Sequence, residues 1–179
     1  MQPGLGGVSL LFQRRTVKIK IKLTLDHLIL GVGIVFLALQ IPEEGLLNFA
    51  AWADRAGVVP GFSITAWLLL QPYILLALSL AFFIYRTDPG KFLPIGLGIL
   101  VWGVLDFAWF AGVGLILRSY VPGLLSSILF LLPAWLSVRI LRRAGNVTKR
   151  LAVLSFLSGL LIMAIPMAAF FGVYWALTA

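Results

Sequence analysis

The sequence predicts an all-α, polytopic membrane helix bundle with about five transmembrane helices. Three observations carry this. First, 61% of the 179 residues are apolar and 11% are charged, whereas a soluble domain averages about half and a quarter; mean hydropathy is +1.08. Second, long apolar runs, each near the roughly 20 residues that a bilayer requires, recur along the chain between short polar turns. Third, the basic residues fall almost entirely in alternate turns, which is the charge asymmetry of a polytopic membrane protein.

Residues 1–24 are read as a mobile leader followed by a basic arm, and residues 25–179 as a single transmembrane bundle. The first 13 residues carry no charge and include three glycines and a proline. Arg14, Arg15, Lys18, Lys20 and Lys22 follow. Lys18, Lys20 and Lys22 alternate with Val17, Ile19 and Ile21, a period of two that fits a strand. Lys18 and Lys22 are also four apart, which fits a helix entering the first crossing, and both readings stay open.

That crossing spans about 25–41 and ends at Pro42, since proline stops a helix. No small-x-small cleavage site follows Leu39, so the segment is read as a retained helix and not a signal peptide. Residues 43–56 carry Glu43, Glu44, Asp54 and Arg55 between apolar residues and are expected to form an amphipathic helix in the membrane interface. The remaining crossings are expected over about 63–85, 94–117, 120–140 and 151–177. Only Arg118-Ser119 separates the third from the fourth, so these two must form an antiparallel hairpin. No internal repeat is present.

All but two of the 14 Lys and Arg residues sit on one side: the five of the arm, Arg86 and Lys91, and then Arg139, Arg142, Arg143, Lys149 and Arg150. Only Arg55 and Arg118 sit on the other. By the positive-inside rule the N-terminus is cytoplasmic and the C-terminus outside, and the expected location is the bacterial cytoplasmic membrane. The basic face is expected to dock anionic lipid headgroups or other membrane subunits. No base-stacking platform accompanies the charge, and no nucleic-acid partner is expected.

The scarce residues exclude much chemistry. With no Cys and a single His, His27, thiol redox and Cys-ligated zinc or iron–sulfur sites are excluded. No metal, cofactor or catalytic set is expected. Of the six acids only Asp106 lies inside an apolar run, with Glu43, Glu44 and Asp54 assigned to the outer turn. A mechanism using paired carboxylates is therefore not expected.

Asp106 is the principal candidate. An ionised carboxylate at that depth costs at least ~2.5 kcal/mol and marks a functional hypothesis. Trp102, Asp106 and Trp109 share one helix face, and Arg118 is the nearest basic residue along that helix, 12 positions on. Gln71, just before Pro72, is the natural hydrogen-bonding partner, with Tyr73 beside it and Ser127 of the fourth crossing near the same level. The site is either a proton-coupled or solute-binding polar centre, or an interhelical clamp. Trp52, Trp67, Tyr85, Tyr120, Tyr174 and Trp175 are read as interfacial aromatic belts.

The run from Pro72 to Asp106, PYILLALSLAFFIYRTDPGKFLPIGLGILVWGVLDF, resembles the bacterial rod-shape membrane subunit MreD. That family has a Pro opening one helix, a short basic turn, and an Asp in the next helix after a Gly-containing apolar run. The resemblance covers about a fifth of the chain and ends at Asp106, where this sequence continues the helix. It implies that Asp106 is a packing or partner contact. From the residues themselves, the expected function is a non-enzymatic integral subunit of a larger inner-membrane complex. The alternatives are a small transporter or channel component centred on Asp106, or a cell-shape protein of the rod-shape type.

Overall fold

The computed structural model describes residues 24–178, and every regular element among them is a helix. The leader and the arm carrying Arg14, Arg15, Lys18, Lys20 and Lys22 lie outside the described residues. Five helices are long and apolar enough to cross a membrane. They are α1 (Thr24–Leu46), α3 (Ile64–Thr87), α4 (Leu93–Leu117), α5 (Leu124–Arg143) and α6 (Lys149–Thr178), with a short α2 (Phe49–Arg55) between the first two. The chain is an integral membrane protein with a helical-bundle architecture.

One boundary departs from expectation in a way that matters for the site. α1 does not stop at Pro42 but runs on to Leu46. Proline lacks an N–H, and its ring collides with the carbonyl four residues back. Just before it, α1 widens into a π-helical turn over Phe36–Gln40, where the Ile41 N–H donates to the Phe36 carbonyl five residues earlier. Such a turn accommodates the defect without ending the helix. Pro42 then occupies the first turn of the final segment, Ile41–Leu46, where no N–H is required.

The single interfacial helix expected over 43–56 is thereby corrected: its first residues belong to α1, and only Phe49–Arg55 forms a separate helix. That helix starts at Asn48, held at φ 52°, whose side chain accepts the Ala51 N–H at 3.2 Å. It turns Phe49, Ala50 and Ala53 onto the bundle. α3 is capped by Ser63, whose hydroxyl accepts the Ala66 N–H at 3.1 Å, and α3 and α6 run through Pro72 and Pro166 without ending. α5 is interrupted at Leu129 and Phe130, between Leu124–Ile128 and Leu131–Arg143. Pro133 cannot donate to the Leu129 carbonyl, which accepts instead from the Leu132 N–H three residues on, at 3.4 Å.

α4 is the middle helix, packed against α3, α5 and α6 and touching α1 where Trp102 meets the Phe36 ring edge-on at 5.4 Å. Its most extensive interface, with α6, is set by glycine. A Cβ on Gly98 would lie 2.6 Å from the Cβ of Ser158, and one on Gly159 would lie 2.6 Å from a Val101 methyl. Without a hydrophobic force between helices in lipid, this close approach supplies the dispersion contact. Large apolar residues such as Leu76, Phe83, Leu115 and Ile116 face outward, as a lipid-facing surface requires.

The ends of the bundle are tied by polar contacts. At one end Asp26 pairs with Arg86 and accepts the Tyr85 hydroxyl at 2.6 Å. Tyr85 is thus buried and not part of a belt. Arg86, Lys91, Arg139, Arg142, Arg143, Lys149 and Arg150 gather at this end; Arg55 and Arg118 are at the other. The Gly98–Gly159 contact makes a prediction. Gly159→Leu should destabilise the protein by about 1–3 kcal/mol through overpacking, lowering its thermal midpoint in detergent, while Gly172→Leu, with nothing within 4 Å of its Cβ, should leave it nearly unchanged.

Candidate polar cavity between α1, α3, α4 and α6

The continuation of α1 past Pro42 presents two adjacent glutamates to different partners. Glu43 points to the turn leading into α5. Its carboxylate accepts the N–H groups of Gly123 at 3.0 Å, Leu125 at 3.2 Å and Ser126 at 2.7 Å, together with the Tyr120 hydroxyl. An anion there satisfies donors that a helix start leaves open. Burial and the neighbouring Glu43 charge push the Tyr120 phenol up to about 12, so it acts as a donor. Gly123 makes the fit possible: φ is +98°, and a Cβ would press on the Phe110 ring at 2.8 Å and on Glu44 Cγ at 3.1 Å.

Glu44 turns the other way, into the bundle, and is 5% exposed. This corrects its assignment to the outer turn, and with it the expectation that only one carboxylate lies within the membrane spans. Its two oxygens accept from Gln40 Nε2 at 2.9 Å and from the indole N–H of Trp67 at 2.7 Å. The same Gln40 nitrogen donates to Asp106 Oδ2 at 2.9 Å. One amide thus bridges two carboxylates, which lie within two hydrogen-bond lengths of each other. Gln40 and Glu44 are four apart and meet on one face of α1; α4 supplies Asp106 and α3 supplies Trp67.

These groups line one wall of a cavity of about 310 Å³ between α1, α3, α4 and α6, covered by Val58, Val59 and Phe62 of the segment after α2. That cover is itself held down. Asp54 accepts the Gly61 N–H at 2.6 Å, the Tyr174 hydroxyl donates to the Gly61 carbonyl at 3.1 Å, and Phe49 packs on Phe62, Trp109 and Phe110. Among the described residues, no Lys, Arg or His lines the cavity. Two buried amide oxygens, Gln40 Oε1 and Gln71 Oε1, have no hydrogen-bond partner among the described residues. A buried polar atom left open costs about 1–3 kcal/mol, and two in one cavity mark a place where a polar ligand or water belongs.

The expected site residues are distributed as follows. Asp106 and Gln71 both line the cavity. Tyr73, two residues on, faces α6 and packs its ring on Phe170 at 5.9 Å. Ser127 is fully buried and spends its hydroxyl on the Leu124 carbonyl at 2.8 Å. Gln40, Glu44 and Trp67 are the members that sequence reasoning missed. The signal that could have found the first two is their four-residue spacing across Pro42; Trp67 reads as a belt residue until Glu44 is placed beside it. Of the basic face, Arg139 stacks on the Trp135 ring at 4.7 Å, and Arg139, Arg142, Arg143, Lys149 and Arg150 all lie at the end away from Glu44.

Comparison with protein-family models, with curated proteins and with solved structures finds no match for this chain. The geometry makes one prediction independent of function. Glu43→Ala removes the acceptor from three backbone N–H groups, a loss of about 1–3 kcal/mol. The thermal midpoint should fall more for Glu43→Ala than for Tyr120→Phe, which removes one donor and leaves the carboxylate in place.

Proposed function

We propose that this integral membrane protein is a small transport component that exchanges cations, protons included, at the Glu44–Gln40–Asp106 centre. A single observation carries the reading: two carboxylates share one amide donor in a cavity that, among the described residues, no basic side chain lines. Two negative charges in a low-dielectric site require a positive one nearby. Where the described lining supplies none, a proton or a bound cation fills the role, and competition between the two is the elementary step of exchange. Ionisable residues within membrane spans mark such pathways. The expected location remains the bacterial cytoplasmic membrane, with the basic end inside.

A second reading, a subunit of a larger membrane assembly, draws on the clustering of Arg139, Arg142, Arg143, Lys149 and Arg150 at one end. Such a cluster attracts anionic lipid headgroups or an acidic partner. The likeness of residues 72–106 to the rod-shape family belongs to this reading, in which Asp106 would be a contact. The acid pair favours exchange over contact, because a clamp needs one carboxylate and this site holds two.

The test is proton release from proteoliposomes carrying an imposed pH gradient, on addition of sodium, potassium or organic ammonium salts. Cation-dependent release is expected from the native protein, and release slower by about tenfold or more from Asp106→Asn and Glu44→Gln, since each substitution removes an ionisable partner at a shared site. Equal rates in all three would overturn the reading. Orientation is tested separately. The chain has no Cys, so Ala56→Cys and Asn146→Cys each give a unique thiol. A membrane-impermeant maleimide on intact cells should label the first and not the second.

A further inference from the structure

We propose that the cavity accepts a primary organic ammonium carrying an aryl or alkyl body, in preference to a metal ion. This inference rests on the reading of the acid pair as a cation site and names the class of cation. The argument begins with size: a space of about 310 Å³ is far larger than a bare ion and falls in the range of small-molecule pockets. Its lining is also divided. Glu44, Asp106, Gln40 and Gln71 are its polar members, and the remainder is aromatic rings and aliphatic side chains with Met163 and Met167 from α6. Carboxylates beside aromatic faces recognise ammonium groups, and methionines adapt to irregular apolar bodies.

The polar wall is poorly built for a metal. A hard cation takes about six or more oxygens, yet both Glu44 oxygens and one Asp106 oxygen already give part of their acceptor capacity to N–H groups of Gln40 and Trp67. Among the described residues no cluster of three or more metal-ligating side chains exists. What stays open is the second Asp106 oxygen and the two unpartnered amide oxygens, Gln40 Oε1 and Gln71 Oε1. Gln40 is 1% exposed and Gln71 6%, so bulk water does not compensate them. A primary ammonium carries three N–H donors and one positive charge, which suits the open acceptors and balances the pair when one of the two acids holds a proton.

The test is direct binding to the purified full-length protein in detergent, by calorimetry and tryptophan fluorescence. The probes are 2-phenylethylammonium, its neutral analogue 2-phenylethanol, and sodium and calcium chloride. Saturable binding of the ammonium is expected, with the alcohol weaker by about tenfold or more for want of the charge. Asp106→Asn should weaken the ammonium by about tenfold; Gln71→Leu, which buries no new charge and is the milder test of folding, should weaken it severalfold. Equal affinity for the alcohol, no loss in both variants, or saturable metal binding without ammonium binding would each overturn the inference. Failure here is distinguishable from failure of the exchange reading. If sodium drives proton release while the ammonium neither binds nor exchanges, the inference falls and exchange stands. If the ammonium binds as expected and no cation drives release, the ligand class stands and exchange falls.

Discussion

The interaction on which the site depends is the pair of hydrogen bonds from Gln40 Nε2, one to Glu44 on its own helix and one to Asp106 on the central helix α4. Within a bilayer no solvent is available to stabilise a misplaced polar group, so each member is usable only because the others are where they are. Trp67 completes the set by taking the remaining Glu44 oxygen. Removing the amide would leave two acids without their common donor, and moving either acid would open a second orphan beside Gln40 Oε1.

The same helix end serves both architecture and site. Successive helical residues point about 100° apart, so Glu43 and Glu44 cannot face the same neighbour. Glu43 joins α1 to the start of α5 through backbone N–H groups, and this contact fixes the rotation of α1 that brings Glu44 inward. Gly123 sits at the junction, close to both Phe110 and Glu44. Stability and chemistry are therefore coupled here: a change that loosens the Glu43 contact also disturbs the Glu44 position without touching the cavity.

The five crossings were legible because apolar length and basic turns are set by the bilayer itself, and their observed limits lie within a few residues of expectation for α3, α4 and α6. The hairpin between α4 and α5 was expected from the two residues Arg118-Ser119, but the connection spans 118–123, because α5 begins only at Leu124, where the turn meets Glu43. Asp106 and Gln71 were legible as polar exceptions in apolar runs. Glu44 was not, because Pro42 reads as a helix stop and the residues beyond it as interface. The π turn that lets the helix pass carries no composition signal: Phe36–Gln40 is FLALQ, an ordinary apolar stretch. Trp67 and Tyr85 stand near helix ends, where aromatic rings usually face the headgroups; only their carboxylate partners distinguish them from belt residues.

The π turn also makes the winding of α1 part of the site's chemistry. Upstream of Phe36 and downstream of Gln40 the helix runs in two phases, offset by the one residue that the wide turn absorbs. Regular α geometry over the same residues would swing everything beyond the turn by about 100°, whereas the loss of one residue of the wide turn would leave that phase unchanged; in the all-α form the consequence falls on the site. Gln40 and Glu44 would then rotate off the α4 side of α1 together. An α1 of the same length wound as regular α-helix throughout would be a sound membrane helix and still lose the acid pair, so the winding of the helix, as much as the identity of its residues, encodes the cavity.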